Sequence, residues 1–88
     1  MKAYIVEMLP SHDADYMRFG VYSNKKSAEK RLKSIEKEMK TLIKNDADAK
    51  DLKHKIEWIN KDIFVHIVNN ETMNSYEITE VEIKENEN

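Results

Sequence analysis

Residues 21–44 read Val-Tyr-Ser-Asn-Lys-Lys-Ser-Ala-Glu-Lys-Arg-Leu-Lys-Ser-Ile-Glu-Lys-Glu-Met-Lys-Thr-Leu-Ile-Lys. The hydrophobic period changes within this stretch, and the change points to an α+β fold. Up to Tyr22 the apolar residues alternate, as in a strand with one buried face. After Ser23 and Asn24, both good N-cap residues, Ala28, Leu32, Ile35, Met39, Leu42 and Ile43 recur three and four apart. That spacing predicts an amphipathic helix from Lys25 to Lys44.

Working outward, Met17, Phe19 and Val21 alternate through 16–22, and Tyr4, Val6 and Met8 alternate through 2–8. The turn-forming segment 9–15 between them predicts an antiparallel hairpin. Gly20, the only glycine, falls inside the second of these strands, where it marks a bulge or a close backbone approach. Beyond the helix, Asn45 to Asp48 supply a stop and a fresh N-cap. Leu52, Ile56 and Ile59 then follow at helical spacing, which predicts a second helix, or a kinked extension of the first, reaching Asn60. Ile63 to Val68 is apolar on both parities, as in a central strand, and Asn69-Asn70-Glu71 turns into a last strand around 75–84. In that strand Tyr76 and Ile78 share one parity and Val81 and Ile83 the other, so a bend near Thr79 is expected if both pairs are buried. The expected fold is therefore α+β: a four-stranded, mainly antiparallel sheet packed on one long amphipathic helix plus a second shorter helix, in the order β-β-α-α-β-β. Residues 1–84 form one domain, and 85–88 form a frayed acidic tail.

A chain of 88 residues with 40% hydrophobic and 36% charged residues supports one modest core and places any site at the surface. The absence of cysteine removes disulfides and thiolate metal sites. With no signal-like start and no apolar run long enough to span a bilayer, the expected location is the cytoplasm, with no membrane partner.

The run Val21-Tyr22-Ser23-Asn24-Lys25-Lys26-Ser27-Ala28-Glu29 resembles the strand-to-helix junction of small uncharacterised bacterial and phage proteins, which also begin with a Tyr-Ile-Val strand like residues 4–6 here. The likeness covers roughly the first 40 residues. It brings no activity with it, but it implies a phage or mobile-element accessory protein, some of which inhibit host proteins by binding them.

Residue chemistry argues against catalysis. His12, Asp13 and Asp15 share one loop but do not complete a calcium or zinc ligand set, and His54 and His66 are expected on a different helix and strand. His66, within an apolar strand, reads as a hydrogen-bonded structural histidine or one at an exposed strand position rather than a base or pH switch. No nucleophile pattern, phosphate loop or paired helical carboxylates accompany it, so no enzyme activity, metal or cofactor is expected.

The sharper feature is a stripe of lysines, Lys26, Lys30, Lys33, Lys37, Lys40 and Lys44, running along the helix away from its apolar face. Residues 24–44 carry eight basic side chains against three acidic ones, whereas 71–88 carry six acidic against one basic. The plain reading of such a stripe is a solvated helix face. Its functional readings are, first, a surface for a larger protein partner and, second, a nucleic-acid interface, the latter weakened by having only Arg18 and Arg31 as arginines. Trp58, the single tryptophan, joins the stripe as a candidate interface anchor, with core packing as its plain reading. The sequence thus favours a non-catalytic protein-binding module, with nucleic-acid binding as the alternative and a homodimer left open.

Overall fold

The structure is a computed structural model that describes residues 1–10, 16–45 and 52–84. Its elements, in chain order, are β1 (Lys2–Pro10), β2 (Met17–Tyr22), α1 (Lys25–Asn45), β3 (His54–Asn60), β4 (Ile63–Val68) and β5 (Glu71–Glu82). The strands form one sheet in the order β2-β1-β5-β4-β3, and every neighbouring pair is antiparallel. Against the expected four strands and two helices, the described residues hold five strands and a single helix, in the order β-β-α-β-β-β.

The correction falls on residues 54–60. Spacings of four residues, such as Leu52 to Ile56, satisfy a helix and a strand equally, because four is close to one helical turn and is also a multiple of two. The deciding pattern is His54, Ile56 and Trp58, which alternate with charged Lys55 and Glu57. β4 decides in the same direction. Its apolar run needs hydrogen-bonding partners on both edges, and β3 supplies one of them, pairing from His54↔Val68 to Asn60↔Ile63.

The helix begins where its cap is. Asn24 Oδ1 accepts the Ser27 N–H at 2.9 Å, satisfying one of the helix's first unpaired donors. Ala28, Leu32 and Ile35 turn inward and are buried, meeting Val6, Phe64 and Tyr76 to form the core. Cross-strand register explains the core's shape. Trp58, Phe64, Tyr76 and Met8 stand opposite one another across β3, β4, β5 and β1 on the helix side, with ring centroids of 4.9 Å for Trp58–Phe64 and 4.8 Å for Phe64–Tyr76.

Gly20 stands beside a bulge, and the group that approaches it closely is a side chain rather than backbone. Gly20 pairs with Val6 and Arg18 with Glu7, leaving Phe19 as the bulged residue on β2. A Cβ at Gly20 would come within 2.8 Å of the Tyr22 hydroxyl, because the Tyr22 side chain lies over it. The turn at Asn69-Asn70 is also as expected, with φ of 50° and 68°, values that asparagine tolerates better than most residues.

The bend expected near Thr79 is replaced by a different arrangement. β1 and β5 stay in unbroken register from Lys2↔Glu82 to Pro10↔Asn74, and the irregularity in β5 falls instead near Met73, where the register shifts between His66 and Ile67. Tyr76 and Ile78 face the helix, while Val81 shares the opposite face with Ile5, Ile63 and Val65, which no described element covers. Both parities of β5 carry apolar residues because each face of the sheet has an apolar part. The expected tail at 85–88 lies outside the described residues.

Candidate functional site

One helix is about 10–12 Å across with its side chains, and strands repeat every 4.8 Å or so, so α1 covers about half of a five-stranded sheet. It packs on β1, β2 and β5. On the β3 side this leaves a cleft with two grooves. The larger, of 590 Å³, is lined by Glu29, Lys33, Trp58, Asn60 and Lys61. The second, of 250 Å³, lies farther along the helix and is lined by Lys40, Ile43, Lys44, His54, Lys55 and Ile56.

Trp58 ties the helix to β3 between these grooves. Its Nε1 donates to Glu36 Oε2 at 2.6 Å, and Lys40 Nζ lies 3.3 Å from the same oxygen. The indole is half-buried against Phe64, so it packs on the core while one part of it lines the larger groove.

The structure divides the lysine stripe. All six lysines are exposed. At about 100° of rotation per residue, Lys33 and Lys40 lie roughly a third of a turn from the buried line through Ala28, Leu32 and Ile35, on the flank that also carries Glu29 and Glu36. Lys33, Lys40 and Lys44 therefore enter the cleft walls, whereas Lys26, Lys30 and Lys37 line neither groove. Lys55 and Lys61 join from the β3 side, positions that the expected helix over 54–60 had hidden. Five lysines and the carboxylates Glu29 and Glu36 thus border the cleft. Among the described residues two of these lysines are ion-paired, Lys40 with Glu36 at 3.3 Å and Lys55 with Glu57 at 3.4 Å. The cleft has an excess of positive charge and one aromatic anchor.

His54 and His66 also meet here, contrary to their expected separation on a helix and a strand. Both point to the helix side of adjacent strands, with His54 Nδ1 lying 3.0 Å from His66 Nε2 and the rings nearly parallel at 10°. Burial, and then the neighbouring His54 charge, hold the His66 pKa below its ordinary value of 6.5. The hydrogen-bonded reading of His66 therefore fits, with another histidine as its partner. The His12, Asp13 and Asp15 cluster lies outside the described residues, and among the described residues no three His, Asp or Glu side chains are grouped to hold a metal ion.

At the far end of β3, Asn60 Oδ1 accepts the Asp62 N–H at 2.7 Å, shaping the turn into β4. Asp62 Oδ2 lies 3.2 Å from Lys25 Nζ, which raises the lysine's pKa through the hydrogen bond and charge of Asp62. This pair anchors the start of α1 over the β3–β4 turn. It is exposed enough to be worth little on its own.

Comparison with protein-family models, with curated proteins and with solved structures finds no match. The expected link to phage or mobile-element accessory and inhibitor proteins has no support in these comparisons and is not carried further. Among the described residues no helix is long and apolar enough to cross a membrane.

Proposed function

We propose that this chain is a non-catalytic protein-binding module whose partner docks in the cleft between α1 and β3. The observation that carries this reading is that Trp58, Lys33, Lys40 and Lys44, from two separate elements, border one concave strip beside an edge strand. Concavity excludes water from a bound segment, the indole offers a large anchoring surface, and the lysines select for negative charge and speed encounter. Nucleic-acid binding is the weaker reading. Glu29 and Glu36 stand among the lysines, and the nearest arginine, Arg31, lies on the opposite flank over Phe19, its guanidinium 5.8 Å from the ring centroid.

The test is selection of displayed random peptides on the immobilised full chain after nuclease treatment, run in parallel with a Lys33→Glu/Lys40→Glu variant. Enrichment of Asp- and Glu-containing sequences on the native chain and its loss on the variant are expected. Submicromolar binding of short DNA in a fluorescence-anisotropy titration, with log affinity falling against log salt at a slope of about −4 or steeper, would transfer the site to nucleic acid.

A further inference from the structure

We infer that the partner binds as an added strand: an extended segment with acidic side chains at alternate positions pairs antiparallel or parallel with the free edge of β3. This rests on the cleft reading above and names the chemistry of its ligand.

The hydrogen-bond phase along β3 supports the inference. The Asn69 N–H donates to the Lys53 carbonyl at 2.9 Å. In an antiparallel ladder, hydrogen-bonded pairs alternate with non-bonded ones, so the pairs Lys55↔Ile67 and Glu57↔Val65 also face β4 with their backbone groups. The N–H and C=O groups of His54, Ile56 and Trp58 therefore point outward, along the edge where no described strand pairs. A second bond confirms the phase. The Ile78 N–H donates to the Asp62 carbonyl at 2.9 Å, which turns the Phe64 and His66 backbone groups toward β5 and those of Val65 and Ile67 toward β3.

The outward groups belong to the same three residues whose side chains face the helix side. A sixth strand hydrogen-bonded to Ile56 and Trp58 would continue the sheet beneath the lysine-bearing flank of α1. Its side chains would alternate, every second one rising toward Lys33, Lys40 and Lys44. The lengths agree. Lys33 to Lys44 spans about 16 Å along the helix, the reach of about five strand residues, and β3 has seven residues. An extended polypeptide satisfies the backbone groups and the lysines together, and a nucleic acid satisfies only the lysines.

The test uses the full chain and a capped peptide of four Glu-Thr repeats, with controls of identical composition in blocks (four Glu then four Thr) and of the alternating peptide N-methylated at every second amide. Binding is followed by NMR titration and by the fluorescence of Trp58. The alternating peptide is expected to bind about tenfold more tightly than the block peptide, and N-methylation of the edge-facing register should abolish the gain. On binding, amide exchange should slow at Ile56 and Trp58, whose N–H groups point outward, more than at Lys55 and Glu57, which are already paired. Equal affinity for alternating and block peptides, or unchanged exchange at Ile56 and Trp58, overturns strand addition. If that binding is nevertheless lost with Lys33→Glu/Lys40→Glu, the cleft reading survives without it. Binding that ignores this double change overturns both.

Discussion

The two flanks of α1 rest on the same sheet but end differently. Toward β2 the helix is sealed: the bulge beside Gly20 lifts Phe19 to its flank, Arg31 lies across the ring, and Phe19 in turn packs 6.1 Å from Tyr76. Toward β3, among the described residues, the Glu36–Trp58 hydrogen bond alone crosses from helix to strand, and grooves open on either side of it. A single helix cannot cover five strands. The chain places it over β1, β2 and β5, and the uncovered remainder becomes a cleft with a charged rim. The cleft is thus a by-product of unequal coverage.

The comparison is broken most severely on the covered side. Leu32 is fully buried under the helix, so Leu32→Ala should cost about 2–5 kcal/mol in a urea titration. Leu42 is 70% exposed although it fits the same apolar spacing, and Leu42→Ala should fall within about 0.5 kcal/mol of the native chain. A substantial cost at Leu42 would show that the helix is rotated from the register described.

On the open side, Trp58→Phe keeps an aromatic ring against Phe64 and removes the bond to Glu36. A cost of about 1–2 kcal/mol is expected, since Glu36 is charged but retains Lys40 and some water. The same change should leave the covered flank's Phe19–Tyr76 contact undisturbed, which side-chain NMR shifts would verify.

The histidine pair gives the open side a pH dependence. Because His66 binds its proton less readily folded than unfolded, the unfolded chain takes up more protons as pH falls through about 6.5. The stability that neutral His66 contributes is complete above that pH and is lost below it, as pH falls toward the lowered folded value. His54 adjoins His66, and Lys40 and Lys44 of α1 share the groove wall with His54, so a second positive charge there is unwelcome. The urea midpoint should drop between pH 7.5 and pH 5, and His66→Gln should flatten that drop. An identical slope in both proteins would remove the histidine pair as its source.

The smallest effect expected is on stability at the cleft rim. Lys33→Glu and Lys40→Glu should each shift stability by no more than about 0.5 kcal/mol, because both lysines are exposed and only Lys40 has an ion-pair partner among the described residues. Thermal melts that stay near the native value, combined with lost ligand binding, would separate the rim's function from its part in folding.

Much of this architecture is legible in local pattern. The hairpin of 2–10 and 17–22, the Asn24 cap, the helix face of Ala28, Leu32 and Ile35, and the strand Ile63–Val68 all follow from spacing and turn chemistry over short ranges. So does the candidate site in part, since Trp58 and three of the six lysines do border the cleft. The missed residues, Lys55 and Lys61, were concealed by the helical reading of 54–60, although the alternation of His54, Ile56 and Trp58 with Lys55 and Glu57 was a signal that could have exposed them.

By itself, then, the sequence determined which segments are amphipathic, where the helix starts and which of its faces is apolar, because those properties depend on side chains within one or two turns of each other. Tertiary structure decided the rest. Residues 54–60 became a strand because β4 needed a hydrogen-bonded neighbour, and His54 met His66 because that pairing set them on one face. The lysine stripe was divided between cleft and open solvent because one helix is too narrow to cover five strands, a limit that no local window contains.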